Sequence, residues 1–118
     1  MVGFFYFFGW QERLFGYNSN EIFEFTGDSL KSIKEGSIEL LASTNDAFFY
    51  VSGDSLIRVT ADFEEYSIPL IRPLMAMTNS ADNSQIFTLD IDGKISLYDQ
   101  GLNELQHRYV GVSGKVFE

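Results

Sequence analysis

Residues 38–59 read IELLASTNDAFFYVSGDSLIRV, and residues 71–98 read IRPLMAMTNSADNSQIFTLDIDGKISLY. Both stretches open with an apolar run into an Ala-x-Thr-Asn turn, at residues 42–45 and 76–79. Both continue into an apolar strand, residues 48–51 and 86–89, and turn through a Gly/Asp pair, Gly53-Asp54 and Asp92-Gly93, into a second strand. The offset is 34 residues at the turn, from Ala42 to Ala76, and 39 at the second strand, from Leu56 to Ile95. A short insertion in the polar residues 80–84 accounts for the difference. A period in this range belongs to a stacked array or a propeller, whose units cannot bury their own faces.

The rest of the chain follows the same rhythm. Short apolar or alternating segments at 4–8, 21–26, 30–34 and 105–110 are separated by Gly, Asn and Asp turns, which is the signature of all-β architecture. Lys31 and Lys34 suit an exposed edge strand. Residues 9–16 read as a loop, 37–42 as a strand, 63–66 as ambiguous, and 102–109 as the sole weak helix candidate. Pro69 and Pro73 lack the ladder donor, so they mark a crossing between units. The expected fold is all-β, an incomplete β-propeller-like array of two to three antiparallel blades. It forms one domain over 1–118, in approximate units 1–36, 37–69 and 70–118.

Composition narrows the function. Aromatic residues make up 16% of the chain, with 12 Phe and 6 Tyr, and favour pleated surfaces. The net charge of −9 argues against nucleic acid and anionic membranes, and is compatible with a partner that presents a basic surface. There is no Cys, hence no disulfide framework and no thiolate chemistry, which leans toward the nucleus or cytoplasm. The N-terminal apolar run lacks a basic flank and a cleavage site, so it reads as a strand.

No constellation carries chemistry. Asp90-Ile91-Asp92-Gly93 resembles the start of a calcium loop, but Gly93 follows the second Asp directly and a hairpin turn fits better. His107 is the only histidine, which leaves no metal set and no complete triad with Asp99 or Glu104. Glu64 and Glu65 are adjacent, so on a strand they point to opposite faces rather than across a cleft. No catalytic, cofactor or metal residue is expected. One segment reads as functional: residues 9–17 hold the only Trp, Trp10, together with Arg13, Phe15 and Tyr17, the residue types that dominate interface hot spots. These four are the expected partner-binding residues.

Phe5-Tyr6-Phe7-Phe8-Gly9-Trp10, followed by Leu14-Phe15-Gly16, resembles an element of the regulator-of-chromosome-condensation repeat family, and residues 38–59 and 71–98 resemble the other half of its blade. Phe15 splits the family's Leu-Gly pair, and WD-type propellers share the coarse rhythm. The resemblance implies a seven-bladed scaffold and roles in nucleotide exchange on small GTPases, chromatin association or scaffolding.

The expected function is a non-catalytic protein-interaction module, docking a protein partner or a second copy through strand edges and the aromatic/Arg loop. A carbohydrate-binding β domain and part of a guanine-nucleotide exchange factor are the alternatives.

Overall fold

A computed structural model describes residues 6–110, which form twelve strands and no helix. The first sheet holds β1 (Tyr6–Trp10), β2 (Arg13–Tyr17), β3 (Glu21–Thr26) and β4 (Ser29–Glu35). The second holds β5 (Leu41–Ser43), β6 (Ala47–Ser52), β7 (Ser55–Thr60) and β8 (Glu65–Pro69). The third holds β9 (Leu74–Asn79), β10 (Ile86–Asp90), β11 (Lys94–Tyr98) and β12 (Glu104–Tyr109). Each sheet is an antiparallel meander, and we call them blades 1, 2 and 3.

Successive residues of a strand point to opposite faces of its sheet, and neighbouring blades bury the apolar faces that they turn to one another. Blade 1 lays Trp10, Phe15 and Ile22 against Phe48, Tyr50, Ile57 and Val59 of blade 2. The opposite face of blade 2, with Phe49, Val51 and Leu56, packs on Ile86 and Leu102 of blade 3. Blade 2 is therefore covered on both sides, which is why β6 reads as a continuous apolar run. The outer strands β4, β8 and β12 are largely exposed. Lys31 and Lys34 lie on one of them, and Pro69 ends another, where its missing N–H costs no ladder bond.

Several local expectations change. Residues 9–16 are not a loop: they lie in the β1–β2 hairpin, in which Trp10 pairs with Arg13. Its two-residue turn, Gln11-Glu12, has φ of 54° and 61°, the left-handed pair of a hairpin turn, held here without Asn or Gly. Residues 76–79 are not a turn but the end of β9, and the turn follows over residues 80–85. Residues 37–40 precede β5, where Ile38 donates back to Ser19 across the β2–β3 turn. The weak helix candidate is mostly β12, whose residues pair with β11. Phe4, Phe5 and residues 112–117 lie outside the described residues.

Candidate protein-interaction surface

In a meander the first and third turns of each sheet emerge at one end and the middle turn at the other. The turns at residues 11–12, 27–28, 44–46, 61–64, 80–85 and 99–103 thus share one rim. Hydrogen bonds tie them blade to blade. Gln11 Nε2 donates to Asn45 O at 3.0 Å, and Asn45 N donates to Asn83 O at 2.8 Å. Gln100 accepts from Asp46 N at 2.9 Å and returns its Nε2 to Asp46 Oδ2 at 3.2 Å, with Thr44 Oγ1 against the same amide oxygen. Arg58 Nη1 donates to Gln100 O at 3.3 Å.

Two of these turns repeat one conformation. Phe63 and Leu102 both have positive φ, 62° and 64°, and each donates its N–H to the residue three before it, Thr60 and Asp99. The kink drives each side chain back toward the preceding blade. Phe63 meets Phe15 edge-on, and Leu102 is buried against blade 2.

The rim is acidic. Glu12, Asp28, Asp46, Asp62, Glu64, Asp82 and Asp99 stand on these turns, which contain no Lys or Arg. All but Asp99 are exposed. Hydrogen bonds from Ser84 and Ser80 hold the Asp82 carboxyl below the usual range, and the backbone N–H of Asn103 does the same for Asp99. Among the described residues no group of three or more His, Cys, Asp or Glu is arranged to hold a metal ion. The carboxylates make a distributed field rather than a chelate.

Of the four residues expected to meet a partner, Trp10 and Phe15 are buried between blades 1 and 2, while Arg13 and Tyr17 make their main contacts within blade 1. Trp10 and Phe15 are 4% and 0% exposed, because the β1–β2 hairpin turns their face onto blade 2. Trp10 Nε1 donates to Thr44 O at 2.9 Å, and Phe15 stacks on Phe8 at 5.1 Å. Arg13 grips Glu24 through two bonds, 2.7 and 2.9 Å, and lies 4.8 Å over the Phe63 ring. That pairing pushes the Glu24 carboxyl down and the Arg13 guanidinium up. Tyr17 is half-buried and stacks on Tyr6 at 5.3 Å; burial raises its phenol. The expectation of an exposed aromatic loop is corrected for Trp10 and Phe15. The rim residues Asn45 and Gln100 escaped sequence reading, since lone amides in turns carry no pattern.

The other candidates resolve as structure. Asp90 Oδ1 accepts from Asp92 N and Lys94 N, closing the β10–β11 turn with Gly93 at φ 89°. His107 Nδ1 lies 2.9 Å from Glu104 on exposed β12. Burial pushes the Glu104 carboxyl up, but His107 and Lys94 outweigh it and hold it low. Glu65 reaches Lys34 and the Tyr50 hydroxyl, both at 3.4 Å.

Between blades 2 and 3 lies a cleft of about 460 Å³ lined by Thr88, Asp90, Ser96, Tyr98 and Tyr109, among others. Its origin is a swap of size. Tyr50 pairs with Ile57 across β6 and β7, and at the matching place in blade 3 Thr88 pairs with Ser96.

No family profile and no curated protein matches the chain. Solved structures do. A catalytically inactive virginiamycin B lyase from Staphylococcus aureus, solved with quinupristin, matches 91% of the chain at TM-score 0.71 and 11% identity. BBS1N in complex with ARL6DN matches 90% at TM-score 0.68 and 12% identity. BamB from Moraxella catarrhalis matches 89% at TM-score 0.66 and 12% identity. The chain spans 41%, 39% and 34% of their respective lengths, well under half of each. These are propeller proteins. At such identities the likeness is one of fold, and it identifies the chain as a three-bladed β-propeller array.

Proposed function

We propose that this chain is a non-catalytic protein-interaction module whose acidic rim docks a partner with a basic surface. The observation that carries this reading is the run of carboxylates on the rim turns of all three blades, six of them exposed, while Arg13 and Arg58, which reach the same turns, are engaged by Glu24 and by the Ala61 and Gln100 carbonyls. Like charges spread over a rigid edge steer an oppositely charged surface and fix its register. The hydrogen bonds between turns mean that little ordering is lost on docking. BBS1N, similar over this array, was solved in complex with ARL6DN.

The test is recovery of cross-linked partners by the wild type and by the variant Glu12→Gln/Asp28→Asn/Asp62→Asn/Glu64→Gln, at low and physiological salt. The reading expects a partner whose recovery falls steeply with salt and is lost with the variant. Recovery indifferent to both would overturn it.

A second reading rests on the cleft. Tyr98 and Tyr109, beside the buried hydroxyls of Thr88 and Ser96, suit stacking and hydrogen bonding to a sugar. A glycan that binds the wild type and not Tyr109→Ala would favour it. Exchange activity on a small GTPase follows only from the family resemblance, and a nucleotide-release assay addresses it.

A further inference from the structure

Blade 3 repeats, at matched register, the face of blade 2 that it covers. Across β6 and β7, Phe49 pairs with Arg58 and Val51 with Leu56; across β10 and β11, Phe87 pairs with Leu97 and Leu89 with Ile95. Phe49, Val51 and Leu56 are 0%, 2% and 0% exposed beneath blade 3. Phe87, on the repeated face, is 37% exposed, and no blade lies over it among the described residues. At the other end of the array, Phe7, Leu14, Phe25 and Leu30 share the face of blade 1 turned away from blade 2. Leu14 is 48% and Leu30 62% exposed. One end of the array thus presents the forward half of a blade–blade interface, and the other end the backward half.

We propose that two copies of this chain close a six-bladed ring, with blade 3 of each packed on blade 1 of the other. The contact continues a packing that the chain already makes twice internally, between blades 1 and 2 and between blades 2 and 3. A two-fold axis forms both closures at once and covers both end faces of both copies. Six blades fall within the range of four to eight that propellers use. The centre of the contact is uncharged, with Phe7, Leu14, Phe25 and Leu30 facing Phe87, Leu89, Ile95 and Leu97; Arg108 flanks it on blade 3 and the Glu21–Glu35 pair flanks it on blade 1. Closure also brings residues 80–85 of one copy beside Gln11-Glu12 of the other, extending the sequence of bonds that runs from Gln11 through Asn45 to Asn83. The inference goes beyond rim docking and uses different residues, so each can fail alone.

The experiment is light scattering coupled to size exclusion on the 118-residue chain over a range of micromolar concentrations. The expected mass is that of two copies. Leu14→Glu and Phe87→Lys are each expected to give monomers with unchanged strand circular dichroism, the dimer dissociation constant rising at least about a hundredfold, equivalent to 2.8 kcal/mol at 1.4 per decade. Mixing the two variants is expected to restore the dimer, because the introduced carboxylate then meets the introduced ammonium at one closure and the other closure is wild type. Should Leu14→Glu lose its strand signal, Leu30→Glu replaces it on the same face. A monomer at every concentration, a mass that grows past two copies, a dimer that neither substitution breaks, or a mixture that stays monomeric would each overturn the ring.

Discussion

The indole of Trp10 donates to the carbonyl of Thr44 at 2.9 Å, and this buried bond joins blade 1 to the first turn of blade 2. The ring also meets Phe48 edge-on at 5.2 Å. Trp10→Phe keeps an aromatic body and leaves the Thr44 carbonyl without its indole donor, so it should cost about 1–3 kcal/mol. Trp10→Ala adds a cavity and should cost about 3–5 kcal/mol. Urea unfolding of both variants checks the order; equal losses would mean that the buried ring contributes nothing beyond its hydrogen bond, and an unchanged Trp10→Phe would mean that the hydrogen bond contributes nothing.

Stability should fall in acid through Glu24. Arg13 holds that carboxyl below its ordinary range in the folded state. A depressed carboxyl contributes stability that is present above the unfolded pKa and is lost as pH drops through the folded value. The melting temperature should therefore decline below the usual carboxylate range, and Glu24→Gln should flatten that decline. A profile of the same slope in both proteins would remove Glu24 as its cause.

Gly16 is a steric position rather than a conformational one. A Cβ there would stand 2.9 Å from Phe23 Cε2 and 3.3 Å from the Phe25 ring. Gly16→Ala should cost about 1–3 kcal/mol by overpacking. The double variant Gly16→Ala/Phe23→Leu should be less destabilised than the sum of its single substitutions, since the shorter side chain vacates the space. Additive losses in denaturant would show that the strain lies elsewhere.

Leu102 offers a test of sign. It is 5% exposed, so Leu102→Ala should cost about 2–5 kcal/mol. In a strand or helix Gly is ordinarily the worse replacement, by roughly 0.5–1 kcal/mol relative to Ala. Here the backbone is left-handed at φ 64°, so Leu102→Gly should be no less stable than Leu102→Ala. The reverse order in thermal melts would mean that the turn relaxes when the side chain is cut back.

The repeat was legible in sequence because strand periodicity survives substitution: Phe49 and Val51 return as Phe87 and Leu89, and Leu56 as Ile95. The shared Ala-x-Thr-Asn string misled locally. In blade 2, Ala42 pairs with Phe49 and Thr44 begins the turn; in blade 3, Thr78 pairs with Phe87 and is still strand. The same four letters sit two residues out of step, and only pairing fixes register. The hairpin at Gln11-Glu12 was invisible for another reason. Its left-handed residues are ones that no turn preference would select, and the clasp of Gln11 on Asn45 gives that turn a partner remote in sequence. Trp10 and Phe15 looked like anchors because interface and core draw on the same aromatic residues. Their burial depended on a neighbouring blade that local sequence could not place.

Covering blade 2 on both sides has a consequence for how the molecule opens. Within a single copy, apart from any closure between copies, the array behaves as a short row in which each unit is held by its neighbours, and the centre has two neighbours where each end has one. Amides in β6 and β7, beneath Phe15 on one side and Ile86 on the other, are then released to solvent deuterium last, after both flanks have opened. Opening proceeds from the outside inward, and the middle blade serves as the seed on which the flanks re-form.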